Sequence, residues 1–329
     1  MLHVAVFGAG AVGCWVGGRL ASAGTRVTLI GRPRVMAELA DGVRAGELGG
    51  TVHEAKPELA TTAEAARGAD IVLVTVKSAA TAEAGRELAG VLGEAAVVAS
   101  LQNGVRNPRV LREVLPGRRV LAAMIEFNIV RTGPGTYQRM TSGRLMFERS
   151  YASAQLEQAC RAANLACELR DDMPAVQWAK LVLNLNNAIN ALSNVPLAAE
   201  LAQRDYRRVW AAAQREALAA LAAAGQPIAK LTPLPAAWIP RVLRLPDSLF
   251  LRVAKRFVSV DPRARSSMWD DFEARRRTEV DFLQGEVVEL AERVGRGAPV
   301  NAAIARLVHD AEAGGRRDYS GRELLQLLR

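Results

Sequence analysis

The sequence predicts an α/β fold in two domains, the first built on a parallel β-sheet and the second entirely α-helical. In the first half of the chain short apolar runs alternate with helical segments, which is typical of a parallel sheet with helices on both faces. After about residue 170 the strand signals stop, and helical periodicity rich in Ala, Leu and Arg takes over. A length of 329 residues also favours two domains. We therefore expect domains at 1–170 and 171–329.

The elements of the first domain follow from local patterns. The first apolar run leads into a helix that should end near Ala23, because Gly24 is a suitable C-cap residue. Another helix is expected over Thr81–Leu92. The run at 71–76 is apolar on both faces and indicates a buried strand. The expected strands are Val4–Phe7, Val27–Ile30, Ile71–Val76, Val97–Leu101, Val120–Ile125 and Leu145–Glu148.

The second domain should consist of long helices around a proline-rich stretch. Five prolines fall within Thr232–Pro262, and because proline breaks helices, we expect short helices and turns there. The expected long helices are Val176–Leu192, Val209–Ala224, Ala274–Val294 and Asn301–Glu312.

The composition argues against several classes of function. The net charge is +9, but the basic residues are interleaved with acids, which is typical of solvated helix faces and not of a nucleic-acid site. No apolar run reaches the 18 residues of a membrane span, and the N-terminus enters a strand directly, unlike a signal peptide. Three cysteines without CxxC spacing favour reduced thiols in a cytoplasmic protein. With three histidines and no ligand cluster, we expect no metal site.

A glycine motif follows the first expected strand. Residues 8–13 read GAGAVG, in which Gly8, Gly10 and Gly13 match G-x-G-x-x-G before a helix. One glycine makes the tight turn, one admits a pyrophosphate to the backbone, and one lets the helix pack on the strand. The helix N-terminus then stabilises the phosphate charge. The motif predicts a Rossmann domain that binds a dinucleotide, with a purely structural turn as the alternative.

The end of the second strand indicates which dinucleotide is bound. NAD enzymes place a carboxylate there to hold the ribose 2′-hydroxyl, but residues 28–34 contain none. Arg32 instead falls 19 residues after Gly13, and a guanidinium can pair with a 2′-phosphate through two hydrogen bonds. The sequence therefore predicts NADPH as the cofactor. Arg34 either assists or is simply exposed.

Two polar residues follow central strands of the first domain. Lys77 ends the segment VTVK, and Asn103 lies in QNG. Only five of the 43 basic residues are lysines, so each lysine raises the question of whether an ammonium that can lose its proton is needed. Ligands bind outside the carboxyl ends of parallel strands, which favours a functional interpretation over a plain surface one.

The helical half carries a polar face on an apolar segment. Lys180, Asn184 and Asn187 are spaced i, i+4 and i+7, and asparagine is a poor helix former. A polar task for this face is therefore expected, the alternative being amides paired with neighbouring helices. Further on, Ser266 or Ser267 is either a ligand contact or a helix N-cap, and Glu279 is either functional or solvated.

The chain resembles the ketopantoate reductase family along nearly its whole length. The resemblance implies a two-domain NADPH enzyme that reduces ketopantoate to pantoate in pantothenate synthesis. It rests on five ordered pieces, GAGAVG at 8–13, VTVK at 74–77, QNG at 102–104, WAKLVLN at 178–184 and SSMWDDFEARRRTEVDFLQG at 266–285.

The resemblance also implies roles for single residues. The general acid falls on Lys180 and a catalytic, substrate-contacting carboxylate on Glu279. Lys77 and Asn103 fall on the nucleotide side, Asn103 also within reach of substrate. The remaining substrate contacts fall on Ser267 and on Asn184, the first asparagine of the helix.

The chain departs from the family pattern at the second helical asparagine. That position is Ala188 here, and either Asn187 or Asn190 takes the role. The stretch at 232–262 also looks longer than in compact members of the family.

The chemistry is consistent with these assignments. Hydride delivery to a ketone leaves negative charge on the oxygen, which a lysine ammonium stabilises and protonates. Glu279 would orient Lys180, and the Asn and Ser side chains would hold the substrate. We expect a small 2-oxo acid as substrate, no nucleic-acid or membrane partner, and a homodimer as one option. The alternatives are another branched 2-oxo acid, an opine-type substrate, or a redox-inactive NADPH sensor.

Overall fold

The computed structural model describes residues 1–254 and 264–328. The chain divides into two compact units, residues 1–173 and 174–329. The predicted fold class is confirmed, since the first unit contains a mainly parallel sheet and the described part of the second contains helices but no strand. None of the described helices is long and apolar enough to cross a membrane.

The first unit contains two β-sheets. The larger has the order β12-β11-β8-β7-β6-β1-β2-β5, and the smaller has the order β4-β3-β10-β9. The strands are β1 (His3–Phe7), β2 (Arg26–Ile30), β3 (Val43–Gly46), β4 (Val52–Ala55), β5 (Glu58–Ala60), β6 (Ile71–Val74), β7 (Val97–Ser100), β8 (Arg119–Ile125), β9 (Ile129–Gly133), β10 (Thr136–Arg139), β11 (Leu145–Glu148) and β12 (Cys167–Arg170).

All six predicted strands lie in the larger sheet. The central strands β6 and β7 are buried at every position and almost entirely apolar, because both faces of the sheet are covered. Alternate residues of β1 enter different cores: Val4 and Val6 pack with Trp15, whereas Ala5 packs with Leu88. The helices of this unit are α1 (Ala11–Ser22), α2 (Pro33–Glu38), α3 (Thr81–Ala89), α4 (Asn107–Val114) and α5 (Tyr151–Ala162).

The sequence prediction of this unit was incomplete in two respects. The sheet is not wholly parallel, because β11 pairs antiparallel with β8. The smaller sheet was missed because its strands are short and half-exposed, as in β4, so they lack the continuous apolar runs of the central strands. Pro134 and Gly135 form the turn between β9 and β10.

The second unit is built from ten described α-helices. The proline-rich stretch forms short helices and turns as expected, although its end at 255–263 lies outside the described residues. The helices are α6 (Met173–Asn184), α7 (Asn186–Ser193), α8 (Leu197–Ala202), α9 (Arg204–Ala223), α10 (Ile239–Leu243), α11 (Asp247–Ala254), α12 (Ser267–Glu273), α13 (Gln284–Arg293), α14 (Pro299–Glu312) and α15 (Gly321–Leu327).

Two of the four predicted long helices are wrong as single elements. The helix expected at 176–192 is interrupted at Leu185, whose carbonyl accepts a hydrogen bond from Gln284 Nε2 at 2.8 Å. The helix expected at 274–294 is absent as such: α12 ends at Glu273, Arg275 has a left-handed backbone (φ 50°), and a 3-10 turn at 280–282 precedes α13. In both places a contact or turn that depends on the tertiary fold overrides the helical pattern.

Candidate active site

The glycine motif forms the loop between β1 and α1. Gly8 has φ 117°, and a side chain there would lie 2.6 Å from the backbone nitrogen of Val76. A side chain at Gly13 would lie 2.3 Å from the carbonyl oxygen of Gly8. These two glycines are required by the fold itself, because backbone or side-chain atoms of the protein occupy the space beside them.

Gly10 differs from the other two glycines. Its backbone is extended (φ −83°), and within the described residues no atom beyond Gly10 and its two chain neighbours lies within 4 Å of where its side chain would be. Gly10 precedes α1, which has no acidic residue in its first turn and no side-chain N-cap. The N-terminus of α1 therefore presents N–H groups beside open space, an arrangement suited to a pyrophosphate.

The loop lies at the carboxyl edge of the sheet. Phe7 is in register with Ile30 of β2 and Val74 of β6, and Val74 is in register with Ser100 of β7. The segments after these four strands therefore emerge at one edge. They carry Gly8, Arg32, Lys77 and Asn103, so this edge brings together the cofactor-side residues predicted from the sequence.

Arg32 lies two residues beyond β2, at the N-cap position of α2. Its side chain is exposed, and it has no carboxylate partner in the described part of the chain. Arg34 is also exposed but pairs with Glu38 at 3.5 Å. Of these two arginines, only Arg32 has a guanidinium without a carboxylate partner.

A buried hydrogen-bond network joins the segments that carry Lys77 and Asn103. Asn107 Nδ2 donates to the carbonyl of Asn103 at 2.7 Å and to Ser78 Oγ at 3.0 Å. Thr81 Oγ1 donates to Asn107 Oδ1 at 2.9 Å. Asn107 therefore fixes the backbone that carries Asn103 relative to the residue after Lys77.

Gln102 extends this network toward the sheet. Its amide group donates to the carbonyl of Val76 at 2.9 Å and to Thr81 Oγ1 at 2.8 Å, while its carbonyl accepts from Ser100 Oγ at 2.9 Å. The structural roles of Asn107, Thr81 and Gln102 were not predicted from the sequence. The only available signal was their polarity at positions close to buried strand ends.

The helical unit carries the remaining predicted residues. Lys180 and Asn184 lie one turn apart on α6, both partly exposed beside the buried Leu181 and Val182. Asn187 belongs to the next helix, α7. The prediction that it shares one helix face with Lys180 and Asn184 is therefore wrong. The Nδ2 atom of Asn187 lies 3.5 Å from Ser267 Oγ, at the start of α12.

The two adjacent serines have different tasks. Ser266 is buried and is the N-cap of α12, accepting a hydrogen bond from the backbone of Trp269 at 3.2 Å. Ser267 is exposed beside Asn187. The N-cap alternative raised by the sequence therefore applies to Ser266, and Ser267 is the serine available to a ligand.

Both polar atoms of the Asn190 side chain are hydrogen-bonded within the protein. Its Nδ2 donates to the carbonyl of Val195 at 2.9 Å and to Glu200 at 2.6 Å, and its Oδ1 accepts from the backbone of Ser266 at 2.9 Å. Asn190 is fully buried, whereas Asn187 is partly exposed. Of the two asparagines that the sequence left open, Asn187 is the accessible one.

Glu279 is buried at the start of the 3-10 turn, with 8% of its surface exposed. Its neighbours are anchored to α14: the backbone of Thr278 donates to Glu312 at 2.7 Å, and His309 Nε2 lies 2.9 Å from Asp281. Burial alone would lower the pKa of His309, but Glu312 and Asp281 raise it overall. The segment that carries Glu279 is therefore held from both sides.

No cluster of potential metal ligands occurs among the described residues.

The two halves of the chain each match a family model. The model described as Ketopantoate reductase PanE/ApbA matches residues 4–150, and the one described as Ketopantoate reductase PanE/ApbA C terminal matches residues 172–312. The curated 2-dehydropantoate 2-reductase of Halobacterium salinarum is 31% identical over 322 residues, which cover 95% of this chain and 100% of the relative. The chain belongs to the ketopantoate reductase family.

Solved structures agree with this membership. A ketopantoate reductase from Ralstonia eutropha matches with a TM-score of 0.82 and 31% identity, covering 95% of this chain and 99% of that one. A D-mandelate dehydrogenase, solved with NADH and anilino(oxo)acetate, has a TM-score of 0.80 at 18% identity over 95% of this chain and 99% of that one. The second likeness shows that the fold is shared beyond ketopantoate reductases. The family resemblance predicted from five sequence pieces is thus confirmed.

Proposed function

We propose that this protein reduces 2-dehydropantoate to pantoate with NADPH. The observation that carries the proposal is the match to ketopantoate reductase models on both sides of the unit boundary, at 4–150 and 172–312, in a chain that has Lys180 and Glu279. The retained ammonium and carboxylate argue against a redox-inactive sensor, which needs no proton donor.

The first unit would hold the cofactor. The space beside Gly10 and the N-terminus of α1 suit the pyrophosphate, and Arg32 suits the 2′-phosphate because no carboxylate follows β2 to favour a 2′-hydroxyl. Lys77 and Asn103 follow adjacent strands at the same edge of the sheet as this loop, and they are the remaining residues proposed to bind the cofactor. When bound, NADPH supplies the hydride.

The second unit would hold the substrate and supply the proton. Lys180 donates a hydrogen bond to the ketone oxygen, stabilises the negative charge that develops there, and protonates it. Glu279 keeps the ammonium charged and oriented. Asn184, Asn187 and Ser267 hydrogen-bond the carboxylate and hydroxyl of the substrate, so that orientation is gained without additional charge.

Steady-state oxidation of NADPH against a panel of 2-oxo acids tests the proposal. The panel contains 2-dehydropantoate, other branched 2-oxo acids, unbranched and aryl 2-oxo acids, and a mixture of a 2-oxo acid with an amino acid for opine-type reduction. We expect the highest kcat/KM with 2-dehydropantoate and slower turnover with NADH. A higher kcat/KM for another acid would reassign the substrate, and no turnover with any of them would favour the sensor. A homodimer stays a prediction, which light scattering would check.

A further inference from the structure

A buried carboxyl group in the helical unit has no part in the proposed reaction. Glu200, on α8, has 1% of its surface exposed and pairs with no Lys, Arg or His in the described part of the chain. Its hydrogen-bond partners are the side-chain amides of Asn190, at 2.6 Å, and Asn186. Burial raises the pKa of Glu200 to about 8, so the group is largely protonated near neutrality. An uncompensated buried carboxyl is costly and calls for an explanation.

The hydrogen bonds of Asn190 transmit the position of Glu200 to another segment. Because Glu200 and the carbonyl of Val195 both accept from Nδ2, the Oδ1 atom must face the opposite way, where it accepts from the backbone of Ser266. The rotamer and the flip of this amide are therefore both determined. The segment that contains Ser266 is also bonded to the start of α8, because the backbone N–H of Leu197 donates to the carbonyl of Ala264 at 2.9 Å.

Ser266 passes this positioning on to the residues that face the ligand. Its hydroxyl donates to the carbonyl of Asn187 at 3.0 Å and accepts from the backbone of Trp269. Ser267 is the next residue, and its own side chain is exposed, so packing of that side chain cannot hold it in place. Ser266 thus links the backbone of Asn187 to the start of α12, where Asn187 and Ser267 lie 3.5 Å apart, and the backbone of Ser266 is itself bonded to Asn190.

We propose that Glu200 and Asn190 are positioning residues that fix Ser267 and Asn187 for binding of the 2-oxo acid. The inference rests on the proposed function for the identity of the substrate. Its physical basis is that a shift of about 1 Å in a substrate-holding group can weaken catalysis by as much as 10²-fold, and that such groups need a rigid supporting shell.

Kinetics of two substitutions at Glu200 test the proposal. Glu200→Ala should raise KM for 2-dehydropantoate by about tenfold with little change in NADPH affinity, whereas Glu200→Gln, which keeps an acceptor for Asn190, should stay within about twofold of the wild type. In a background that carries both Ser267→Ala and Asn187→Ala, the Glu200→Ala change should add almost nothing, because it acts through these two residues. Additive effects, or an unchanged KM in Glu200→Ala, would overturn the proposal.

Two controls separate positioning from loss of fold. Glu216→Ala removes a carboxylate that accepts from the backbones of Val300 and Asn301 at the start of α14, outside this network, so it should lower Tm and leave KM unchanged. If Glu200→Ala does not fold, Glu200→Met, which fills a similar volume but offers no acceptor to Asn190, takes its place in the same background. The same non-additivity is expected, and its absence would refute the proposal.

A readout without turnover distinguishes this proposal from the proposed function. Amide hydrogen exchange at 264–273 should be faster in Glu200→Ala than in the wild type, with Glu200→Gln close to the wild type. If the wild type reduced no 2-oxo acid, the proposed function would fail while exchange still reported on the network. Unchanged exchange in Glu200→Ala would show that Glu200 does not hold this segment.

Discussion

At the scale of single residues, accessibility separates the groups that can meet a ligand from those that hold them in place. Arg32, Ser267 and Lys77 are exposed, whereas Asn190 and Asn107 are buried and hydrogen-bonded within the protein. All five are polar residues next to apolar segments, so the sequence alone does not distinguish the two groups. The difference lies in burial, which depends on segments that are distant along the chain.

Arg32 should determine the choice of cofactor. Arg32→Ala should weaken NADPH binding by roughly 1.5–3 kcal/mol, because a charge-assisted pair with the 2′-phosphate is lost, and it should change NADH binding far less. Fluorescence titration with both nucleotides measures the two affinities. Arg34→Ala is the matched control, because Arg34 already pairs with Glu38. An equal loss for NADH and NADPH would show that Arg32 does not contact the phosphate.

Lys180 should act as the proton donor. Lys180→Ala should lower the reduction rate by roughly 10²–10⁴-fold, the usual contribution of a positioned general acid. NADPH affinity should be nearly unchanged, because the residues proposed to hold the cofactor belong to the other unit. Lys180→Arg keeps a cation but does not readily release a proton, so it should also be slow. Near wild-type kcat in Lys180→Ala would contradict the assignment and make Lys77 the next candidate.

At the scale of elements, strand ends and helix starts present the candidate groups. The loops after β1, β2, β6 and β7 emerge at one edge of the sheet because the strands are parallel and in register. In the helical unit the presenting elements are short: α6 ends at Asn184, and α12 begins at Ser267. The end of α6 lies beside a hydrogen bond from a distant residue to Leu185 and was not predicted, whereas the start of α12 agrees with the N-cap alternative raised from the sequence.

The loop that opens α1 should reject a side chain at Gly10 without unfolding. A valine side chain at position 10 would enter open space from an ordinary extended backbone, so the protein should keep its fold. The free energy of unfolding should fall by about 1 kcal/mol, because valine is a poor N-cap residue. NADPH binding should be abolished, because the added methyl groups would occupy the place of the pyrophosphate. Gly90→Val, also beside open space, is the control. Normal NADPH titration of Gly10→Val would exclude this loop as the binding site.

At the scale of the whole molecule, Glu200 should make the free energy of unfolding depend on pH. The folded protein keeps this proton up to a pKa of about 8, whereas an ordinary glutamate loses it near 4.5. Unfolding between these pH values releases a proton, so the free energy of unfolding falls as pH rises. A pKa difference of one corresponds to roughly 1.4 kcal/mol, and Glu200→Gln avoids the loss.

Thermal unfolding measures this effect. The Tm of Glu200→Gln minus that of the wild type should grow as the pH is raised from 5 to about 8. Glu292→Gln, an exposed site on α13, should show no such trend. Parallel pH profiles for Glu200→Gln and the wild type would show that the carboxyl is not held in its neutral form.

The sequence by itself determined the features that arise from local pattern and spacing. The GAGAVG loop, six of the eight strands of the larger sheet and the change to helices near residue 170 could be read directly, because periodicity and glycine placement act over a few residues. The family resemblance followed from the order of five such pieces.

Only the tertiary structure decided which polar residues face inward and where the helices end. Asn187 and Asn190 are equivalent in the sequence, but Asn190 is bound by Glu200 and Ser266, which are ten and 76 residues away. Ser266 and Ser267 separate into a cap and an exposed residue in the same way. The physical reason is that burial and hydrogen-bond partnership arise from segments distant along the chain, and no local pattern reports them.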